Sequence, residues 1–335
     1  MQPEATNTIF RCQNFKKFSS LEIFHFSESP YNVSCTPETP STFLFVYSND
    51  LRSDIVTNSL ETIIFKLKSF QSKFDTIANV RFDTKEEEEI FYHSDIGNFE
   101  TSVNNLLPNS TIGFSNSKTG SDIVNVIEKF LNNQQSSICG STIFVLLQRN
   151  PEKMDISGIV TQLQKQRVFV RTVIMDNLLG GIDDLMMYNI SSQTNGFAVF
   201  TNQDSVDDAV DFCTNDILTP YLLYAYNVYV SGQGSSELPM LHTPSYFFQT
   251  IPVTVEFTVQ DHPLSDDFRS LNLTLTDTSG KIQKVTIDRS RFVYFNGYYN
   301  TNVNLRTDQD FEVTIGYQYE SNDTQSLEIQ MSINQ

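Results

Sequence analysis

The sequence predicts a mostly parallel α/β sheet with helices on both faces, followed by an antiparallel β-sandwich. Three observations predict it. Continuous apolar runs such as Phe43-Leu44-Phe45-Val46 and Ile143-Phe144-Val145-Leu146-Leu147 mark strands buried on both faces. Helical spacing separates those runs in segments of about 10–15 residues, the pattern of strand–helix–strand units. Past Pro220 the helical period stops, and short alternating runs follow one another with turn signals between them.

The elements follow in order. Residues 1–40 form an N-terminal extension with Pro3, Pro30, Pro37 and Pro40, a Phe-rich patch from Phe10 to Phe26, and a short strand expected at 21–26. Residues 41–218 form the α/β domain. Its first strand, 41–47, is ended by Ser48-Asn49-Asp50, and a helix follows with Asp54 at its start and Ile55, Leu60, Ile63, Ile64 and Leu67 on one stripe. Runs at 74–82 and 89–93 are strands joined by an acidic turn; so short a connection makes the pair antiparallel. Helices are expected at 98–107 and 120–132, a buried strand at 141–147, a helix at 156–166 and a strand at 167–175. A helix at 182–193, a strand at 196–200 and a helix at 205–218 complete this part. Residues 219–335 form the sandwich, Ig-like in its run of short strands. They are expected at 222–230, 251–259, 271–276, 281–287, 292–298, 311–319 and 327–333, with 232–246 as a loop bearing Pro and Gly.

Composition narrows the function. The 335 residues carry 22 Lys and Arg against 40 Asp and Glu, a net charge of −18. Nucleic-acid binding depends on clustered Lys and Arg, and anionic membranes select the same charge, so neither is an expected partner. No apolar run reaches the length of a membrane span. The N-terminus has no apolar stretch of leader length, which fits the cytoplasm, whereas a body rich in Ser, Thr and Asn and poor in Lys fits an extracellular protein. The extracellular reading is the one adopted, with the cytoplasm as the alternative. Five Asn-x-Ser/Thr sequons occur, at Asn32, Asn109, Asn189, Asn272 and Asn322. A chain with this much Asn, Ser and Thr carries roughly five by chance, so the motif alone marks nothing.

The order of elements from Ser41 to Leu218 resembles a von Willebrand factor type A (vWA) domain. Phe43-Leu44-Phe45-Val46 stands at its first strand, and an antiparallel excursion follows. Asn116-Ser117-Lys118-Thr119-Gly120-Ser121 opens a helix at the Thr-bearing loop. Leu185 with Gly196-Phe197-Ala198-Val199-Phe200 is similar to its last helix–strand step. A few nematode-type secreted families pair such a domain with a β-sandwich. The resemblance implies a divalent-metal site at the top of the sheet, held by D-x-S-x-S after the first strand, a Thr from a second loop and an Asp after the fourth strand. This chain departs from each. The first loop reads Tyr47-Ser48-Asn49-Asp50-Leu51-Arg52-Ser53, with no Asp opening the motif. The second keeps Ser117, or Thr119 in another alignment. The third, Leu147-Gln148-Arg149-Asn150, puts Gln148 or Arg149 where an acid is expected, and an Arg there supplies the positive charge itself. The expectation is a degenerate site with no metal and no cofactor; a residual site from Asn49, Asp50 and Ser117 is the alternative.

On that architecture Cys35, Cys139 and Cys213 all fall near the bottom of the sheet, and Cys12 can reach any of them. Members of the family often tie the ends of the domain by a disulfide, which favours Cys35–Cys213; Cys139–Cys213 with Cys12–Cys35 is equally allowed.

Other motifs have plain readings. Residues 113–119 lack the Gly before Lys118 that a phosphate loop needs. His25, His93, His242 and His262 show no metal-ligand spacing. The run Glu86-Glu87-Glu88-Glu89 is a solvated turn, and Asp204, Asp207 and Asp208 complement a helix start. The chain therefore reads as a non-enzymatic recognition or adhesion protein for a protein or glycan ligand of unknown identity. It would bind through top loops at 48–53, 115–120, 148–153 and 177–181, with Ser48, Asn49, Asp50, Ser117, Thr119, Gln148 and Arg149 as contacts. The alternatives are a structural scaffold acting through the sandwich and an enzyme of unrecognised type.

Overall fold

A computed structural model describes residues 35, 39–69, 73–182, 185–219, 221–246, 248–263, 265, 267–291 and 296–334. Cys12, Asn32 and the strand expected at 21–26 lie outside them.

The first unit alternates strand and helix: β1 (Ser41–Ser48), α1 (Ser53–Ser69), β2 (Phe74–Phe82), β3 (Phe91–His93), α2 (Ile96–Asn105), α3 (Ile123–Leu131), β4 (Thr142–Asn150), α4 (Ser157–Lys165), β5 (Phe169–Gly180), α5 (Met186–Gln193), β6 (Ala198–Thr201) and α6 (Val206–Cys213). The sheet order is β3-β2-β1-β4-β5-β6, parallel throughout except for β3, which pairs antiparallel with β2. This is the vWA-like arrangement, with β1 at its centre. Successive side chains of β1 point to opposite faces. Phe43, Phe45 and Tyr47 pack under α1, α2 and α6, while Leu44 and Val46 pack under α3, α4 and α5. Two-sided burial is why the run is uninterruptedly apolar.

Residues after a short 3-10 turn at Asn215–Ile217 form the sandwich: β7 (Tyr221–Val230), β8 (Gln233–His242), β9 (Thr250–Thr258), β10 (Phe268–Asp277), β11 (Ile282–Asp288), β12 (Tyr298–Arg306), β13 (Asp310–Tyr319) and β14 (Gln325–Ile333). They make two four-stranded antiparallel sheets, β11-β10-β13-β8 and β12-β9-β14-β7. Two departures from the sequence reading share one cause. The stretch read as a loop contains β8, and β12 runs on to Arg306 past the 298 end expected from sequence, residues 292–295 lying outside the described set. Both β8 and β12 are edge strands. Half-exposed edges need neither a clean apolar face nor every amide, so Gly234 and Pro239 fit β8 and three asparagines fit β12.

The two units share a polar interface. Val253, Val255 and Phe257 of β9 and Leu327, Ile329 and Met331 of β14 point into the sandwich core. Their neighbours Thr254, Glu256, Thr258, Ser326, Glu328 and Gln330 point the other way, yet all are buried. The α/β unit contacts Glu256, Ser326 and Gln330, while Thr254 and Thr258 bond within the sandwich. Gln330 Nε2 donates to the carbonyls of Asn195 and Gly196 at 3.1 and 2.9 Å, and Tyr188 Oη donates to Ser326 Oγ at 2.8 Å. Arg171 of β5 lies at the centre, its Nη2 3.3 Å from Gln330 Oε1 and 3.5 Å from Glu256 Oε2. Asp216 Oδ1 lies 3.9 Å from Arg171 Nε, and its other oxygen accepts from Thr142 Oγ1 at 2.6 Å. A charge held out of water needs such partners, because desolvation costs several kcal/mol per ion.

The cysteines differ from both pairings reached from the sequence. Cys35 is bonded to Cys139, and Cys213 is a buried free thiol. All three do lie near the bottom of the sheet. The physical reason for the pairing is adjacency: β1 pairs directly with β4, so residues just ahead of both strands are neighbours, with Cα atoms 5.5 Å apart. Cys213 Sγ instead faces the Thr172 carbonyl inside the helix–sheet core.

Two predictions follow from this frame. The Cys35–Cys139 bond spans 104 residues, so Cys35→Ser should lower unfolding free energy by about 2–5 kcal/mol. Cys213→Ser should leave the disulfide in place; chemical denaturation and non-reducing peptide mapping check both. Glu328 is fully buried, and burial pushes its carboxyl from 4.5 up to about 8. The folded chain therefore keeps a proton that the unfolded chain releases above pH 4.5. This group's stability is greatest below that pH, falls by at most about 1.4 kcal/mol per pH unit, and levels off above 8. Glu328→Gln should remove one proton's worth of that slope in denaturation curves measured from pH 5 to 9.

Candidate functional site

The top of the α/β sheet is built from the segments that leave the C-terminal ends of β1, β2, β4 and β5. Parallel strands deliver their following loops to one edge, where ligands of open α/β sheets bind. β4 runs on past its apolar stretch through Gln148, Arg149 and Asn150, and Arg149 turns inward until only 1% of it is exposed. Its Nε donates to Asp50 Oδ2 at 2.6 Å, and its Nη1 donates to the carbonyls of Thr119 and Asn116 at 2.6 and 3.2 Å. The guanidinium also lies 5.4 Å from the centre of the Phe114 ring. Two loops thus converge on one cation.

Room for it comes from glycine. Gly180, at the end of β5, has φ of +85°, and a Cβ there would stand 2.4 Å from Arg149 Cγ and 2.6 Å from the Thr119 carbonyl. β5 reaches Gly180 by extending five residues beyond the end expected from sequence, after a register shift opposite Gln148. Gly180 donates its amide to the Ser117 carbonyl at 2.8 Å, and Gln148 Nε2 donates to the Asn177 carbonyl at 2.8 Å.

Behind Asp50 lies a second polar group that the sequence reading missed. Ser48, fully buried, donates to Asp83 Oδ2, and Asp50 donates its amide to Ser48 Oγ at 3.2 Å. Asp83 follows β2 with φ of +63°. Its amide donates to Asp122 Oδ1 at 2.8 Å, while the Asp122 amide donates back to Asp83 Oδ1 at 3.4 Å. The exchange ties the end of β2 to the start of α3. Burial raises the Asp83 carboxyl well above the usual carboxylate range, against the pull of the Ser48 and Ser121 hydroxyls. Nothing in the sequence flagged it, because an Asp after a strand is an ordinary turn residue.

The seven expected contacts therefore have distinct positions. Asp50 and Arg149 meet as an ion pair. Ser48 and Asn49 are buried. Asn49 spends its amide on the next loop, donating to the Asn109 carbonyl at 3.0 Å and accepting from the Asn109 amide at 2.9 Å. Ser117 is exposed and Thr119 and Gln148 half-exposed; Ser117 and Thr119 join the cluster through their carbonyls. The alternative ligand set of Asn49, Asp50 and Ser117 does not converge, since the Asn49 and Asp50 side chains are engaged elsewhere and the group that Asp50 faces is a guanidinium. Among the described residues, no three His, Cys, Asp or Glu side chains gather as metal ligands would. The residues present do not fit a divalent cation at this position.

Beside the ion pair lies an open cleft of about 380 Å³, walled by Asn49 to Ser53 on one side and by Pro108, Ser110, Gly113 and Phe114 on the other. Arg52 stands exposed at its mouth, pairing with Asp54 and donating to Gln203 Oε1. Further along the top edge, the β5 extension presents Leu179 and, just past it, Ile182, which is 81% exposed.

A family model described as a domain of unknown function (DUF7154) matches residues 226–334, within the sandwich. No curated protein sequence matches the chain. Solved structures similar to it include a von Willebrand factor type A protein from Catenulispora acidiphila, at 7% identity over 88% of this chain and 58% of that one, with a TM-score of 0.39. This chain thus spans a little over half the length of that structure. An aerotolerance-related membrane protein from Bacteroides fragilis is 11% identical over 52% of this chain and 99% of that one, with a TM-score of 0.38. Proximal thread matrix protein 1 from the mussel byssus is 9% identical over 58% of this chain and 50% of that one, at the same score. The strand order itself, rather than these scores, carries the description of the fold as vWA-like.

Arg149→Ala should destabilise the chain by about 3 kcal/mol, because it strands Asp50 and two loop carbonyls without a donor. Arg149→Lys should recover only part of the loss, since one ammonium cannot span the same fork of acceptors. Thermal and urea denaturation of both variants check this.

Proposed function

We propose that this chain is a non-enzymatic recognition protein that binds a protein or glycan through the top of its vWA-like domain, without a divalent metal. The observation that carries the reading is the buried Arg149–Asp50 pair. A fixed guanidinium occupies the end of the fourth strand, where the family resemblance placed an acidic metal ligand, and it neutralises the acid that a cation would have used. The degenerate site is thereby complete in itself. Recognition then falls to what surrounds it: the cleft beside Asp50, Arg52 at its mouth, the exposed 115–118 loop and the apolar tip at Leu179 and Ile182. Rigid sheets presenting variable loops are the usual platform for such contacts.

The non-enzymatic part rests on the chemistry of the cleft. The residues lining it include no His and no Cys, and its Ser53 hydroxyl donates to the Pro108 carbonyl rather than to a base. An extracellular location is part of the proposal, supported by the Cys35–Cys139 disulfide. No described helix is long and apolar enough to cross a membrane. The scaffold alternative loses ground because one sheet of the sandwich already spends its outward face on the α/β unit.

The test uses binding of the labelled full chain to immobilised extracellular-matrix proteins and to a printed glycan array. Arg52→Glu with Ile182→Glu should reduce binding at least tenfold, while Ile282→Glu with Gln283→Glu on the edge of the sandwich should not. Chelation with EDTA should change neither binding nor melting temperature, and Mg2+ or Mn2+ should not raise the latter. A shift of several degrees on adding either ion would sink the metal-independent reading.

A further inference from the structure

The sequons, uninformative as a motif, separate once the fold is known. Asn189 is half-buried within α5, and the Ser191 hydroxyl of its sequon is fully buried against Thr172 Oγ1 at 2.9 Å. Asn272 is half-buried in β10, which pairs on both sides, and its Oδ1 accepts from Thr286 Oγ1. Asn109 differs in every respect. It lies in an irregular loop after Pro108, and Asn109, Ser110 and Thr111 are all exposed. Its Oδ1 accepts both the Thr111 amide at 3.0 Å and the Thr111 hydroxyl at 2.8 Å. The side chain is thus folded into an Asx-turn that sets the sequon hydroxyl against the acceptor amide, and Nδ2 has no described partner. The backbone of Asn109 is clamped on both sides by the buried Asn49 amide, so the exposed side chain has a fixed direction. Asn322 shares the exposure, in the turn between β13 and β14 with Thr324 also exposed, and its carbonyl is fixed by Ser231 Oγ at 2.7 Å.

We infer that Asn109 is an N-glycan acceptor, with Asn322 as a second, and that the Asn109 glycan stands at the rim of the recognition cleft. This rests on the extracellular reading, because the disulfide and the transfer belong to the same oxidising pathway. In the transfer, Asn109 Nδ2 forms a bond to the anomeric carbon of an oligosaccharide carried on a polyprenyl diphosphate. The bond from that carbon to the diphosphate oxygen breaks, the lipid diphosphate leaves, and one amide proton goes to base. Pro108 and Ser110, on either side of Asn109, line the cleft. A glycan on Asn109 therefore screens that wall and leaves Arg52 and the opposite side open to a partner.

The experiment routes the full chain through the secretory pathway of cultured animal cells behind an added leader. Secreted protein is treated with peptide-N-glycosidase and its peptides are read by mass spectrometry. The expected result is conversion of Asn109 and Asn322 to Asp, with Asn189 and Asn272 unchanged. Asn109→Gln and, independently, Thr111→Ala should each remove one electrophoretic step, and Thr111→Ser should restore it. Secreted, disulfide-bonded chain with unconverted Asn109 overturns the inference while leaving the compartment intact. A chain that is retained with Cys35 and Cys139 as free thiols overturns the compartment reading, and the inference with it.

Discussion

A guanidinium with almost no exposed surface must find its acceptors inside the protein, and Arg149 finds them on two separate loops. Asp50 supplies the charge after β1; Asn116 and Thr119 supply carbonyls ahead of α3; Gly180 of the β5 extension leaves the space. Losing the guanidinium would strand Asp50 and both carbonyls, at about 1–3 kcal/mol for each buried group left unsatisfied. The top of the sheet is therefore gathered from beneath by one side chain, alongside direct loop-to-loop hydrogen bonds such as Asn49–Asn109 and Gly180–Ser117. That is the role a bound cation has in a site built from oxygen ligands, with one difference. A side-chain cation cannot dissociate, so the Arg149 charge is a permanent part of this edge.

A second buried arginine does the same work at the other end of the molecule. Arg171, two residues into β5, is shared among Gln330, Glu256 and the more distant Asp216. The polar face of the β12-β9-β14-β7 sheet would be an ordinary solvated face in an isolated sandwich. Here it is covered, and Glu256 and Glu328 are carried into the interior, where burial raises both carboxyls while the Arg171 charge opposes the shift. Such an interface is specific rather than strongly adhesive, because desolvation offsets most of the Coulomb gain. It joins the sandwich to the α/β unit through β5, the residues after α5 and the turn at Asn215–Ile217.

How much of this was legible depends on burial. The central strands were readable because two-sided burial forces an unbroken apolar run, and β3 because a short turn permits only an antiparallel neighbour. The edges β8 and β12 were not, since half-exposed strands tolerate Gly, Pro and Asn. In the site, Asp50 and Arg149 were legible as departures from a pattern, whereas Asp83 and Asp122 pair through space across 39 residues and have no motif. The disulfide was misjudged for a related reason. Tying the two ends of the domain is a family habit, but the actual neighbours were set by the β1–β4 pairing, which is a fact of strand order.

The acidity of the chain takes on a different meaning from this geometry. With a net charge of −18, carboxylates are abundant, yet the two most involved at the top edge are withdrawn: Asp50 against Arg149, and Asp83 beneath Ser48 with its carboxyl pushed toward the neutral form. What the edge presents outward is mixed: Arg52 with its partner Asp54, Lys118, Glu152, Asp176, polar amides and the apolar tip at Leu179 and Ile182. A surface of that mixed character offers a partner no single sign of charge. On the reading proposed above, its selectivity must come from shape along a cleft whose floor is held rigid, which places the weight of recognition on side chains that the buried pair positions but does not include.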